Sequence, residues 1–191
     1  MVKTKVKSKQ VIRKGKKKWF RVVTPTYLNS VEIGEVTAYE PAELPGRTTC
    51  IPVKEISGSM RDSSSKIKLR IVKVQGETCQ TEPLEIFVQN SQIQRIERRS
   101  KSRIITIVDG VTKDKENIRI KAYILLQNKV VRSVQTELQK IARNYIEAYI
   151  KNRELKDVFA ITTPKTISNS LKTQLKTIYP VSVITWKIKR M

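Results

Sequence analysis

Residues 117–149 read NIRIKAYILLQNKVVRSVQTELQKIARNYIEAY, and the hydrophobic period changes inside this stretch. Ile118, Ile120, Ala122, Ile124 and Leu126 alternate with Arg119, Lys121 and Tyr123. Period two predicts a half-buried strand with a cationic outer face. Beyond it Val134, Leu138, Ile141, Tyr145 and Ala148 or Tyr149 recur at intervals of three and four. That spacing predicts an amphipathic helix, with Ser133 as its N-cap.

Upstream the strand period dominates. Trp19–Thr24 reads as a short strand stopped by Pro25, and Val31, Ile33, Val36 and Ala38 suggest a second. Residues 39–47 and 57–65 are expected as loops, the first with Pro and Gly, the second rich in Ser and Gly. Ile67, Leu69 and Ile71 alternate with Lys66, Lys68 and Arg70, which places cations about 6.6–6.8 Å apart along one strand face. Gly76 turns the chain, Leu84, Ile86 and Val88 suggest the next strand, and Ile104–Val108 reads as a strand ending at an Asp109-Gly110 turn.

Downstream, Thr163 is expected to cap a second helix with Pro164 at its first position and an Ile167, Leu171, Leu175, Ile178 stripe. Val181–Arg190 reads as a final strand, with Ile184, Trp186 and Ile188 on one face and Lys187 and Lys189 on the other. Strands followed by helices predict an α+β class. The expected architecture is a strand-rich core, closed as a small barrel or a sandwich, followed by two helices and a C-terminal strand. Residues 1–18 are expected as a disordered basic arm and residues 19–191 as one domain, strand-rich over 19–130 and helical with the final strand over 131–191.

Charge dominates the composition. Lys and Arg total 39 against 17 Asp and Glu, a net of +22 over 191 residues, with no His. Residues 1–31 carry ten basic side chains and no acid, and residues 158–191 carry six and no acid. The segment between them is nearly balanced, at 23 basic and 17 acidic residues. Self-repulsion of this size destabilises a lone globule, and a phosphate backbone is its natural sink. An anionic membrane surface would attract the ends too, but neither a lipidation signal nor a basic amphipathic terminal helix is present. No apolar run reaches the roughly 20 residues of a membrane-spanning helix. The N-terminus lacks the apolar segment of a secretory signal.

Enzymatic chemistry finds little footing. With no His, the commonest general acid–base group is missing, and Cys79 has no imidazole to activate it. Two separated cysteines, Cys50 and Cys79, cannot build a tetrahedral zinc site and read as two buried thiols in a reducing cytosol. Phosphate-cradling glycine motifs are absent. No cofactor is implied, and a metal-dependent nuclease is the least favoured alternative. A stand-alone regulator that binds RNA or DNA is the nearer one. The bland account of the cationic strand faces is solvation, and that of the arm is a solubilising tail. Tyr123 could stack on a base, whereas Tyr145, Tyr149 and Trp186 read as core.

Several segments, in order, resemble one family. Lys16-Lys17-Lys18-Trp19-Phe20, Thr24-Pro25, Ile33-Gly34, Val74-Gln75-Gly76-Glu77-Thr78-Cys79-Gln80-Thr81, Thr112-Lys113-Asp114 before Arg119, and Ile178-Tyr179-Pro180 before Lys187-Ile188-Lys189 are similar to motifs of the archaeal–eukaryotic small-subunit ribosomal proteins of the S-one-e (S-three-A-e) class. The resemblance runs from about residue 16 to residue 191. Lys115 stands where that family usually has Gly, and the Asn-Phe-x-Gly that usually follows Thr81 is missing. The end at Met191, without the long eukaryotic extension, matches the archaeal-length form.

The resemblance implies a β-barrel-like core with α+β additions and a structural, non-enzymatic role in the cytoplasmic ribosome. The place implied is the small-subunit platform near the messenger exit, against the 3′ region of the rRNA, with neighbouring ribosomal proteins and mRNA as further partners and no membrane. Phosphate contacts with shape readout are the expected mechanism. The RNA-binding candidates are Lys14, Lys16, Lys17, Lys18 and Trp19 in the arm and first strand; Lys66, Lys68 and Arg70; Arg98, Arg99, Lys101 and Arg103 in the central cluster; Arg119 and Lys121; and Lys187, Lys189 and Arg190.

Overall fold

The computed structural model describes residues 15–97 and 99–191, with the side chain of Arg61 left out. Lys14, Arg98 and residues 1–14 of the expected arm therefore lie outside the described residues. Eight strands and five helices follow in the order β1 (Lys18–Val23), β2 (Glu32–Ala38), β3 (Thr48–Pro52), α1 (Val53–Ser57), β4 (Ser65–Gln75), β5 (Thr78–Val88), α2 (Asn90–Ile96), β6 (Arg103–Val111), β7 (Asn117–Leu126), α3 (Arg132–Lys151), α4 (Leu155–Val158), α5 (Thr163–Leu175) and β8 (Val181–Arg190). This is the α+β class expected from the change of period. The strands form one open sheet in the order β2-β1-β5-β8-β7-β6, with β4 and β3 branching from β5.

β5 is where the sheet divides. Its first residues, Thr78–Gln80, pair in parallel with β1, and Glu85–Phe87 pair antiparallel with β8, while β4 lies along nearly its whole length. The family-like segment Val74–Thr81 builds this junction. Gly76 turns the β4–β5 hairpin at φ 61°, a left-handed conformation that suits glycine. Thr81 Oγ1 donates to the carbonyl of Val23 at 2.8 Å, and Arg21 N–H donates to the carbonyl of Glu77 at 2.8 Å.

Helices α3 and α5 cover one face of the sheet. α3 packs on β6 and α5 on β8. Leu138, Ala142, Ile146 and Ile150 of α3 and Ile167, Leu171 and Leu175 of α5 are fully buried in the main core. Val134, Ile141, Tyr145 and Tyr149 sit partly buried at its margin. The centre of the α3 stripe is thus one residue C-terminal to the Ile141 and Tyr145 positions of the expected one.

Four local expectations are corrected. Thr163 does not cap α5: it is the first residue of the helix, Thr162 holds the cap position, and Ile178 of the expected stripe lies beyond the helix end at Leu175. Asp109-Gly110 is not a turn: both residues remain in β6, opposite Arg119 and Ile118, and the chain reverses at Thr112–Glu116. Gly110 is small for packing, because a Cβ there would lie 3.0 Å from Ile150. Ser133 is not the N-cap of α3, which starts at Arg132; Gln135 Nε2 donates back to the carbonyl of Val130 at 2.7 Å instead. Cys50 is exposed on β3 and only Cys79 is buried, where burial raises its thiol pKa. Among the described residues no helix is long and apolar enough to cross a membrane.

Candidate nucleic-acid interface

Strand register decides which cations meet. One row of paired residues crosses six strands, from β3 to β6, as Ile51, Ile67, Ile86, Ile188, Ile120 and Val108. All six are buried, so this row belongs to the helix-covered face. The rows on either side point the opposite way, since successive side chains alternate across a sheet. One runs Pro52, Lys66, Phe87, Lys187, Lys121, Ile107, and the other Cys50, Lys68, Glu85, Lys189, Arg119, Asp109. Six predicted cations, separated in sequence by up to 123 positions, thereby share one sheet face. Neighbouring strands lie about 4.8 Å apart, so the face is dense in charge.

Two cross-strand pairs on this face are like-charged. Lys121 stands directly opposite Lys187, and Arg119 opposite Lys189. Such pairs destabilise a sheet, by the inverse of the few tenths to 1 kcal/mol that opposite charges contribute. Two acids relieve part of the repulsion. Lys187 forms an ion pair with Glu85, whose side chain is mostly buried. Arg119 donates from Nε and Nη2 to both oxygens of Asp109, at 2.6 and 2.8 Å. That bidentate bond, ahead of burial, holds the Asp109 carboxyl below its ordinary range. Lys66, Lys68, Lys121 and Lys189 have no ion pair among the described residues.

Apolar surface lies among these charges. Ile107 is 44% exposed, and Phe87 and Trp186 are half-buried. Lys187 Nζ sits 5.9 Å from the Phe87 ring centre and Lys121 Nζ 5.6 Å from that of Trp186. The placement of Trp186 departs from the expected strand phase. The register of β7 against β8 slips between Lys121 and Ala122, which leaves Trp186 as an extra residue. Trp186 and Ile184 consequently turn to the face away from Ile188, and the Trp186 indole N–H donates to Asn90 Oδ1 at 3.2 Å.

Tyr123 shares that face but cannot stack on a base. It is 2% exposed, packed with Ile93 and Leu125. Helix α2 covers it; no apolar stripe announces α2, whose single buried residue is Ile93. Burial also raises the Tyr123 phenol pKa.

The remaining candidates fall into separate groups. Arg99, Lys101 and Arg103 line a shallow hollow beside α2 with Gln94 and Glu97, and Arg103 is ion-paired to Glu97. Lys16, Lys17, Lys18 and Trp19 are all exposed, Trp19 by 64%, and Lys17 Nζ lies 5.4 Å from the Tyr39 ring centre. Arg70 is exposed on β4. Arg190 is bound inward, donating to Glu82 at 2.9 Å and to Glu116 at 2.7 and 3.2 Å. No group of three or more metal-ligating side chains occurs among the described residues.

Comparison with known proteins agrees with the motif order. A family model described as the ribosomal S3Ae family matches residues 5–191. A protein of Nanoarchaeum equitans named small ribosomal subunit protein eS1 is 30% identical over 86% of this chain and 83% of its own length. Proteins of the same name from Picrophilus torridus and Thermoplasma volcanium are 27% and 26% identical, over 88% and 90% of this chain and 80% and 82% of theirs. With a match across all described elements and most of each relative's length, the chain belongs to the ribosomal S3Ae family.

Proposed function

We propose that this chain is a structural constituent of the small ribosomal subunit, acting in the cytoplasm as a non-enzymatic rRNA-binding protein. Family membership supports the assignment, and the observation that carries the RNA contact is the pair of like-charged ladders Lys121–Lys187 and Arg119–Lys189. Two adjacent strands that set cation against cation weaken the sheet. A polyanion lying across them reverses the sign, since each neutralised phosphate releases condensed counterions.

The contact face comprises Lys66, Lys68, Lys121, Lys187, Lys189 and Arg119. The flanking contributors are Arg70, Lys101, Arg103, Arg99 and the stretch Lys16–Trp19, together with Lys14 and Arg98; Arg190, held by Glu82 and Glu116, is left out of the contact. Binding proceeds through phosphates, and a fixed strand spacing reads backbone shape better than base identity. The family resemblance supports a place on the platform near the messenger exit, beside the 3′ region of the rRNA. Neighbouring ribosomal proteins are expected at its other surfaces.

Sucrose-gradient sedimentation of a low-salt lysate from the native cells tests the assignment. The protein is expected in the small-subunit fractions and is released as salt rises. Protein that stays at the top of the gradient at low salt overturns it. A stand-alone regulator would instead bind a defined oligonucleotide without sedimenting with subunits.

A further inference from the structure

The acid-free C-terminal stretch is not acid-free in space. Of its six cations, Lys165 is paired to the buried Asp62 at 2.6 Å, Lys187 to Glu85, and Arg190 to Glu82 and Glu116. Lys189 belongs to the sheet face described above. Lys172 and Lys176 are left over, exposed and without an ion pair among the described residues. They lie four residues apart at the end of α5, on the same side of the helix.

These two lysines line one groove together with Lys101, and its floor includes the buried Leu126 and Val181. Among the described residues no carboxylate lines it. Lysines near a helix C-terminus complement the helix dipole, which accounts for Lys172 and Lys176 without any ligand. It does not account for Lys101, which arrives from the segment after α2. That segment is pinned at the next residue: Leu126 N–H donates to the Ser102 carbonyl at 3.0 Å, and Val130 N–H to Ser102 Oγ at 3.2 Å. A third positive charge is thus held beside two others along an apolar-floored groove.

We infer that this groove seats backbone phosphates, as a second contact for the same RNA that crosses the sheet face. It lies at the Leu126–Val181 end of the β7–β8 ladder, five residues along β7 from Lys121. At about 3.4 Å per residue that is roughly 17 Å, too far for one phosphate to serve both places. Lys101 also borders the hollow of Arg99 and Arg103, so cations continue from one surface toward the other. The inference rests on the proposed rRNA-binding role.

Purified full-length protein and transcribed small-subunit rRNA, titrated by filter binding over a salt series, test it. The variants are Lys172→Gln/Lys176→Gln, Lys101→Gln alone, and Lys66→Gln/Lys68→Gln as the reference for the sheet face. Each double variant is expected to flatten the plot of log affinity against log salt by about 1.5, at 0.7–0.9 per lost phosphate contact, and Lys101→Gln by about half of that. Lys172→Arg/Lys176→Arg should keep the slope. If the groove variants bind with the parental slope while Lys66→Gln/Lys68→Gln does not, the groove is no RNA site and the sheet face stands. That conclusion holds equally if Lys172→Gln/Lys176→Gln only lowers the melting temperature, since loss of the dipole complement alone would do so. A parental protein with no salt-dependent rRNA binding sinks the underlying role itself.

Discussion

The row Ile51–Ile67–Ile86–Ile188–Ile120–Val108 and the two rows beside it use the same six strands and the same backbone ladder. They do opposite things. The middle row is branched aliphatic throughout and buried beneath the helices, so it carries sheet stability. The flanking rows place six cations against two acids, Glu85 and Asp109, and contain two like-charged cross-strand pairs. Those acids offset part of the repulsion and leave the face net positive. A single strand such as β7 serves both purposes because its side chains alternate, Ile120 inward and Arg119 and Lys121 outward.

The largest effect should follow from breaking the middle row. Ile120 is fully buried in the main core, and Ile120→Ala should destabilise the fold by about 2–5 kcal/mol, through lost burial and the cavity left behind. Urea unfolding measures this, and the loss should not change between low and high salt. A loss below ~1 kcal/mol would show that the row is not the stabilising element. Gly110→Ala comes next. Its new Cβ would press on Ile150 at 3.0–3.3 Å, and overpacking of this kind costs about 1–3 kcal/mol. An unchanged urea midpoint would mean that α3 can move away from β6 freely.

The third variant separates the rows directly. Lys121→Glu turns the Lys121–Lys187 clash into an opposite-charge pair. The fold should hold its stability or gain up to ~1 kcal/mol, less whatever the lost Lys121–Trp186 contact contributed. RNA binding should weaken at the same time, with a flatter salt dependence. Urea unfolding and filter binding on one preparation read both. A variant that binds RNA as tightly as the parent would break the link between the like-charged ladder and the ligand.

The alternation and the change of period were enough to read the α+β class, β4, β7, the presence of α3 and the first three positions of the α5 stripe, Ile167, Leu171 and Leu175. What they could not supply is register. Lys66 and Lys187 are 121 positions apart in the chain, and only the chain of pairings through Phe87 puts them in one row. Irregularity was equally invisible. The slip at Trp186 reverses the facing of Ile184 relative to Ile188, which strict period two assigns to the same side. Helix α2 has one buried residue, too few to form a stripe, so its burial of Tyr123 had no sequence signal. The groove lysines 172 and 176 were in view as charge, but their convergence with Lys101 depends on how Ser102 is held.

The smallest effect concerns the turn that joins the two outermost strands of this sheet end, β6 and β7. Lys115 adopts φ 62°, in the left-handed region that favours glycine. The conformation is imposed from several sides. Lys115 N–H donates to the Thr112 carbonyl at 3.0 Å, Lys113 N–H to the Arg153 carbonyl at 3.2 Å, and Asp114 Oδ2 accepts the Leu155 N–H at the start of α4 at 2.8 Å. A non-glycine residue in this region loses about 1–2 kcal/mol, and glycine gives back roughly 0.5–1 kcal/mol in unfolded-chain entropy. Lys115→Gly should therefore stabilise the fold by about 0.5 kcal/mol, visible as a small rise in the urea midpoint. Because Lys115 is exposed and outside the two cationic rows, RNA affinity should fall by no more than the loss of one distant charge. A drop in stability would mean that the Lys115 side chain, rather than the backbone it strains, holds the turn, and the difference between rows that stabilise and rows that bind would then not extend to the loops connecting them.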